Sequence, residues 1–142
     1  MFSKNKIAFA LIMALIVVCS ISIVSAMNIE GGAISTSGGL EDLTYASIDV
    51  GKEYSGDNVI IQIYYYRNGE LLNHGNMVPN TVTSNGFINV KSADAYKLFP
   101  DKAQINLYNS NHKLIATQDV SLSASSGVQT FGDGDYDHSY MS

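Results

Sequence analysis

Residues 59–66 read Val-Ile-Ile-Gln-Ile-Tyr-Tyr-Tyr; the run is closed by Arg67-Asn68-Gly69-Glu70 and followed by Leu71 and Leu72. β-Branched and aromatic side chains fill nearly every position, which suits a pleated, packed strand. Asn-Gly between two apolar stretches signals a hairpin, because the type I′ turn that follows strand twist needs φ > 0 at both central residues. A two-residue turn sets the register: Arg67 opposes Glu70, Tyr66 opposes Leu71, Tyr65 opposes Leu72, Tyr64 opposes Asn73 and Ile63 opposes His74. One face then carries Val59, Ile61, Ile63, Tyr65 and Leu72, the other Ile60, Gln62, Tyr64, Tyr66, Leu71 and Asn73. The first is expected in the core, because Gln62 and Asn73 on the second would need buried partners.

Further strands follow on both sides of this hairpin. Residues 43–50 alternate, with Ala46, Ile48 and Val50 in one phase and Ser47 and Asp49 in the other. Residues 28–39 are Gly- and Ser-rich with Ile29, Ala33 and Ile34 spaced through them, and read as a linker or an edge strand within a 27–42 segment. Pro79 confines residues 77–79 to an edge or a bulge, since it lacks a donor. Residues 81–83 and 87–91 flank the turn Ser84-Asn85-Gly86. Residues 92–100 break the pattern: Ser92 can cap a short helical turn that Pro100 ends, with Tyr96, Leu98 and Phe99 plugging one end of the fold. Residues 102–108 alternate Ala103, Ile105 and Leu107 against Gln104, Asn106 and Tyr108. Residues 114–122 return with Leu114, Ala116, Val120 and Leu122 in one phase, and residues 128–131 add a last short strand. The expectation is one all-β domain over residues 43–131, an antiparallel β-sandwich of seven or eight strands.

The chain has 142 residues, 46% hydrophobic and 15% charged, with a net charge of −5. That suits one domain. No clustered basic face of the kind nucleic acid requires is present in the sequence. Residues 1–6 carry Lys4 and Lys6 and no acid, and residues 7–24 are apolar apart from Cys19, Ser20 and Ser22. This is an export signal, with a small-residue cleavage site at Val24-Ser25-Ala26; the apolar run is also long enough to be retained as an N-terminal membrane helix. Either way residues after 26 face outward, and the chain is secreted or held at the cell surface. Cys19 is the only cysteine, so the domain is held by its core without a disulfide.

The stretch Lys102-Ala-Gln-Ile-Asn-Leu-Tyr-Asn-Ser-Asn-His-Lys-Leu-Ile-Ala resembles the closing hairpin of small immunoglobulin-like surface domains of prokaryotes, in which an Ile-x-Leu-Tyr strand enters an Asp-Ser-Asn-Gly-Lys turn. Here Asn109 replaces the usual Asp and His112 the usual Gly, so a φ > 0 at His112 would carry a modest cost. The resemblance covers residues 43–131. It implies an immunoglobulin-like sandwich on the cell surface doing binding or structural work, without specifying a ligand.

Three groups of residues bear on function. Tyr64, Tyr66 and Leu71 form an apolar and aromatic stripe that either braces the sheet or contacts a surface protein or glycan. Asp133, Asp135 and Asp137 alternate as calcium ligands do in oxygen-rich loops, but the sixth position is His138 instead of glycine and no acid follows at a twelfth. Residues 132–142 therefore read as an acidic, disordered tail, and calcium is the one cofactor their chemistry would suit. His74, His112 and His138 lack zinc spacing and lie in no nucleophile motif, so a non-enzymatic role is expected. The alternative is a subunit that assembles through exposed sheet edges into a filament or layer.

Overall fold

The computed structural model describes residues 27–36, 44–91 and 98–141. The leader with its expected helix, the cleavage site at Ala26, part of the 27–42 segment and residues 92–97 of the expected helical turn lie outside the described residues; Leu98, expected to plug one end of the fold, is 55% exposed. Among the described residues the fold is all-β. The strands are β1 (Gly31–Thr36), β2 (Thr44–Asp49), β3 (Asn58–Arg67), β4 (Glu70–Leu71), β5 (Val78–Thr81), β6 (Phe87–Lys91), β7 (Lys102–Tyr108), β8 (Leu114–Ser121) and β9 (Gly127–Gly132). A 3-10 turn at Lys52–Tyr54 and a four-residue helix α1, His138–Met141, complete it.

Two antiparallel sheets pack face to face. One has the order β6-β2-β1-β9; the other runs β4-β3-β7-β8, with β5 also pairing β3. Their inner faces share one core: Ile34, Ala46, Ile48, Ile88 and Val90 from the first, and Val59, Ile61, Ile63, Tyr65, Ala103, Ile105, Leu107 and Val120 from the second. The expected inner face of β3 is therefore the core face, with Tyr65 fully buried.

The hairpin register holds next to its turn. Asn68 and Gly69 have φ of 51° and 82°, Arg67 pairs Glu70, Tyr66 pairs Leu71, and the Leu72 N–H donates to the Tyr65 carbonyl at 2.8 Å. Beyond Leu72 the expected pairing stops. Instead of opposing Tyr64, Asn73 folds its side chain back onto β3, where Oδ1 accepts the Tyr65 N–H at 2.9 Å and Nδ2 donates to the Ile63 carbonyl at 2.8 Å. One side-chain amide replaces a residue of ladder, and the main chain is free to leave the strand.

The face of β3 expected to meet solvent is also covered. Gln62, 8% exposed, donates from Nε2 to the Tyr64 hydroxyl at 3.0 Å and to the Gly75 carbonyl at 2.9 Å. Its Oε1 accepts from the Tyr108 hydroxyl at 2.8 Å and from Asn106 Nδ2 at 3.3 Å. Thr117 extends the row by donating to Asn106 Oδ1 at 2.8 Å. Gly75, at φ 72°, lies so close over the Tyr64 ring that a Cβ there would sit 2.2 Å from Cε1; only glycine fits the conformation and the space.

Three further expectations change. The 28–39 segment supplies β1, which is an interior strand between β2 and β9 and not an edge. Leu114 leaves the core phase, because a bulge shifts the β7–β8 register so that Leu107 pairs Ala116 while Tyr108 pairs Leu114; Leu114 is half exposed and Ile115 packs against the core. Residues 132–141, expected to be disordered, are folded onto the first sheet. In the β7–β8 turn, Asn109 Oδ1 accepts the N–H groups of Asn111 and Lys113, and His112 adopts φ 63°.

Replacing Asn73 by alanine leaves two buried β3 backbone groups, the Tyr65 N–H and the Ile63 carbonyl, without these partners. A loss of about 2–4 kcal/mol is expected in urea unfolding of the full chain, whereas His74→Ala on the same connection, where the side chain is exposed, should cost less than about 0.5 kcal/mol.

Candidate functional site

The outer face of the first sheet carries the most organised polar surface of the described residues, and residues 133–141 build it. β2 alternates, so Ala46 and Ile48 point into the core while Ser47 and Asp49 point outward. Both outward residues are nevertheless buried. Asp49 Oδ1 accepts the Gly51 N–H at 3.0 Å and Oδ2 accepts the Asp135 N–H at 2.8 Å. Ser47 Oγ accepts the Asp137 N–H at 2.8 Å and donates to Asn89 Oδ1 at 2.7 Å, and Asn89 Nδ2 closes the ring on Asp137 Oδ2 at 2.9 Å. The Glu30 carbonyl takes the N–H groups of Asp133 and Gly134 at 3.0 and 2.9 Å. Gly31 allows this approach: a Cβ there would lie 2.5 Å from the Gly134 nitrogen.

Asp137 also starts α1. Its Oδ1 accepts from the backbone N–H groups of Ser139 at 3.1 Å and Tyr140 at 3.3 Å, and from the Ser139 hydroxyl at 2.6 Å. That is an N-cap. The helix then sets Tyr140 edge-on to Tyr45, with ring centroids 5.9 Å apart, and buries Met141.

Between this segment and the 51–53 and 85–87 loops lies an open groove of about 720 Å³. Phe87, Tyr136 and His138 give it aromatic walls; Glu30, Asp49, Glu53, Asp135 and Asp137 contribute acids, and Lys52 a base. The Tyr136 and His138 rings stack at 4.0 Å and 27°, and His138 Nε2 lies 2.9 Å from Asp135 Oδ1. Acids outnumber bases, so the groove favours a neutral polar or cationic group and repels anions. Aromatic faces beside carboxylates and amides suit contact with a sugar ring or a protein side chain.

The residues singled out from the sequence fall in two places. Tyr64 is half-buried beneath Gly75, so it braces the sheet. Tyr66 is half-buried with Lys102 Nζ 5.5 Å from its ring centroid, and Leu71 opposite it is 50% exposed. The stripe thus offers solvent only its turn-side end. Asp135 and Asp137 line the groove, and Asp133 is exposed beside it. The three aspartates do not converge as the calcium spacing suggested: Asp137 spends both oxygens on internal donors and Asp135 faces His138. Among the described residues no group of three or more His, Cys, Asp or Glu is placed to hold a metal. His74 and His112 are exposed on the β4–β5 connection and the β7–β8 turn. Phe87, Tyr136, Glu53 and Lys52 join the groove without a motif that marks them; the signal the sequence holds is the cluster Tyr136, Tyr140 and Met141, large side chains in an otherwise small and polar stretch.

No protein-family model matches the chain, and no curated protein matches it significantly. No helix of the described residues is long and apolar enough to cross a membrane.

Hydrogen bonds hold two carboxyls below the usual range: at Asp135 chiefly from the Tyr136 backbone and then His138, at Asp137 chiefly from the Ser139 side chain and then Asn89. Burial, then Tyr45, pushes the Tyr140 phenol up. A carboxyl depressed in the docked segment favours docking above the free-carboxylate range, and that contribution is lost as the pH falls through the depressed values. The Ser139 and Tyr140 amides should therefore be protected from hydrogen exchange at neutral pH and lose protection in acid ahead of the β3 amides. Asp137→Asn, which keeps a capping oxygen without the titration, should flatten that dependence; an unchanged profile would place the pH response elsewhere.

Proposed function

We propose that this chain is an exported, non-enzymatic, immunoglobulin-like β-sandwich module that binds a surface protein or glycan at the cell envelope. The observation that carries the reading is the groove between α1 and the 51–53 loop, where exposed polar groups and aromatic faces sit on a rigid sheet. Its support on the sequence side is the basic and apolar leader, which delivers the chain outward and either releases it after Ala26 or anchors it. The two antiparallel sheets and the Asn109–Lys113 turn support the immunoglobulin-like assignment. The scattered placement of His74, His112 and His138 supports binding over catalysis.

The test is binding of the full chain, in mild detergent, to envelope fractions of its own cells. Tyr136→Ser combined with Glu53→Gln is expected to weaken binding at least about tenfold, as loss of a central contact does. Tyr66→Ser combined with Leu71→Ser should leave it nearly unchanged. The reverse pattern would move the contact to the tyrosine stripe, and indifference to both pairs would remove both surfaces.

One observation favours a second reading, an assembly subunit. Among the described residues β8, eight residues long, ends its sheet with only β7 beside it, whereas β5 on the other side carries Pro79. A free, proline-less edge can pair with another copy. Light scattering over a concentration series would then show growth that Gln118→Lys abolishes; a concentration-independent monomer excludes it.

A further inference from the structure

The sequence holds three places where an Asn or Asp precedes glycine: Asn68-Gly69, Asn85-Gly86 and Asp133-Gly134. Such pairs are prone to a backbone reaction, because glycine lets its own nitrogen approach the preceding side chain without obstruction from a Cβ. The fold treats the three differently. The Gly86 N–H donates to the Thr83 carbonyl at 2.9 Å, its carbonyl accepts the Val50 N–H at 3.0 Å, and it is pressed against Gly51. The Gly134 N–H is bound by the Glu30 carbonyl at 2.9 Å. Among the described residues the Gly69 N–H and the Asn68 side-chain amide have no hydrogen-bond partner, both residues are exposed, and the space around Gly69 is open.

We propose that Asn68 is a covalent modification site at which the chain deamidates spontaneously while folded. The Gly69 nitrogen attacks Asn68 Cγ and loses its proton; the new N–Cγ bond forms as the Cγ–Nδ2 bond breaks and ammonia leaves. Water then opens the resulting imide at one carbonyl or the other, giving aspartate or isoaspartate. The hairpin tip opens readily enough to allow the attack, since β4 has only two residues and both are exposed.

The product is incompatible with the turn. Isoaspartate adds one methylene to the main chain inside a two-residue loop whose length fixes the register. The new carboxylate also arises beside Asp101, whose Oδ2 accepts the Asn68 N–H at 2.9 Å, and near Glu70. Pairing of Arg67 with Glu70 and of Tyr66 with Leu71 is lost, and the change stops there, because Asn73 holds the Tyr65 and Ile63 backbone groups through its side chain. Modification therefore reshapes the Tyr66 and Leu71 surface and spares the core.

The experiment ages the full chain, folded in mild detergent at mildly alkaline pH, and a parallel sample in urea. Proteolysis after Glu53 and Glu70 places Asn68 and Asn85 on separate peptides, and mass spectrometry reads the conversion of each. In the folded chain Asn68 is expected to convert at least about tenfold faster than Asn85, the difference reflecting local opening; in urea the two rates should converge. Asn68→Gly, which suits φ > 0, should keep the hairpin and abolish the acidic species that accumulates. Equal rates at Asn68 and Asn85 in the folded chain, or faster conversion of Asn85, would overturn the assignment.

Discussion

An interior strand of each sheet is covered on both faces, and the rest of the structure answers to that constraint. An antiparallel sandwich usually leaves its outer faces to water, so that polar residues alternate outward at no cost. Here β3 has Tyr65 in the core and Gln62 buried on the opposite side, while β2 has Ile48 in the core and Ser47 and Asp49 buried on the opposite side. Each of those polar side chains must find its partners inside the protein. Gln62 does so with four, Asn73 with two backbone groups, and Ser47 and Asp49 with the 135–137 backbone.

Covering both sheets divides the labour between two segments. The 73–77 connection lies over β3, and the glycine at 75 lets its backbone rest on the Tyr64 ring. Residues 133–141 lie over β2, and the glycine at 31 lets their backbone rest on β1. The two covers differ in character. The first is locked by neutral amides and hydroxyls, whereas the second carries the depressed carboxyls of Asp135 and Asp137 and so responds to pH. The groove exists only because the second cover stands clear of the 51–53 loop, which ties the candidate site to a segment with little apolar anchorage beyond Tyr140 and Met141.

Much of the strand pattern was legible. Alternation at 102–108 and the Asn68-Gly69 turn depend on residues adjacent in the chain, and both are found where expected. Legibility failed where a side chain did the work of a backbone. Asn73 looked like one more strand position, because nothing local distinguishes an amide that faces solvent from one that folds onto a ladder. Leu114 departs from its alternating phase for a related reason: a single bulge inverts the phase of everything on its far side. The acidic stretch looked solvated because composition weighs charges without knowing which backbone donors await them.

What the sequence by itself determined is therefore local: which segments are strands, which face of β3 enters the core, and the register beside the two-residue turn. These follow from period-two alternation and from the φ values that Asn and Gly accept. Tertiary structure decided that β1 lies between β2 and β9, that both outer faces are covered, and that a groove forms at all. Those outcomes rest on pairs such as Asp49 with Asp135, 86 residues apart, and Ser47 with Asp137. The energy of such contacts depends on where the chain returns, which no window of neighbouring residues encodes.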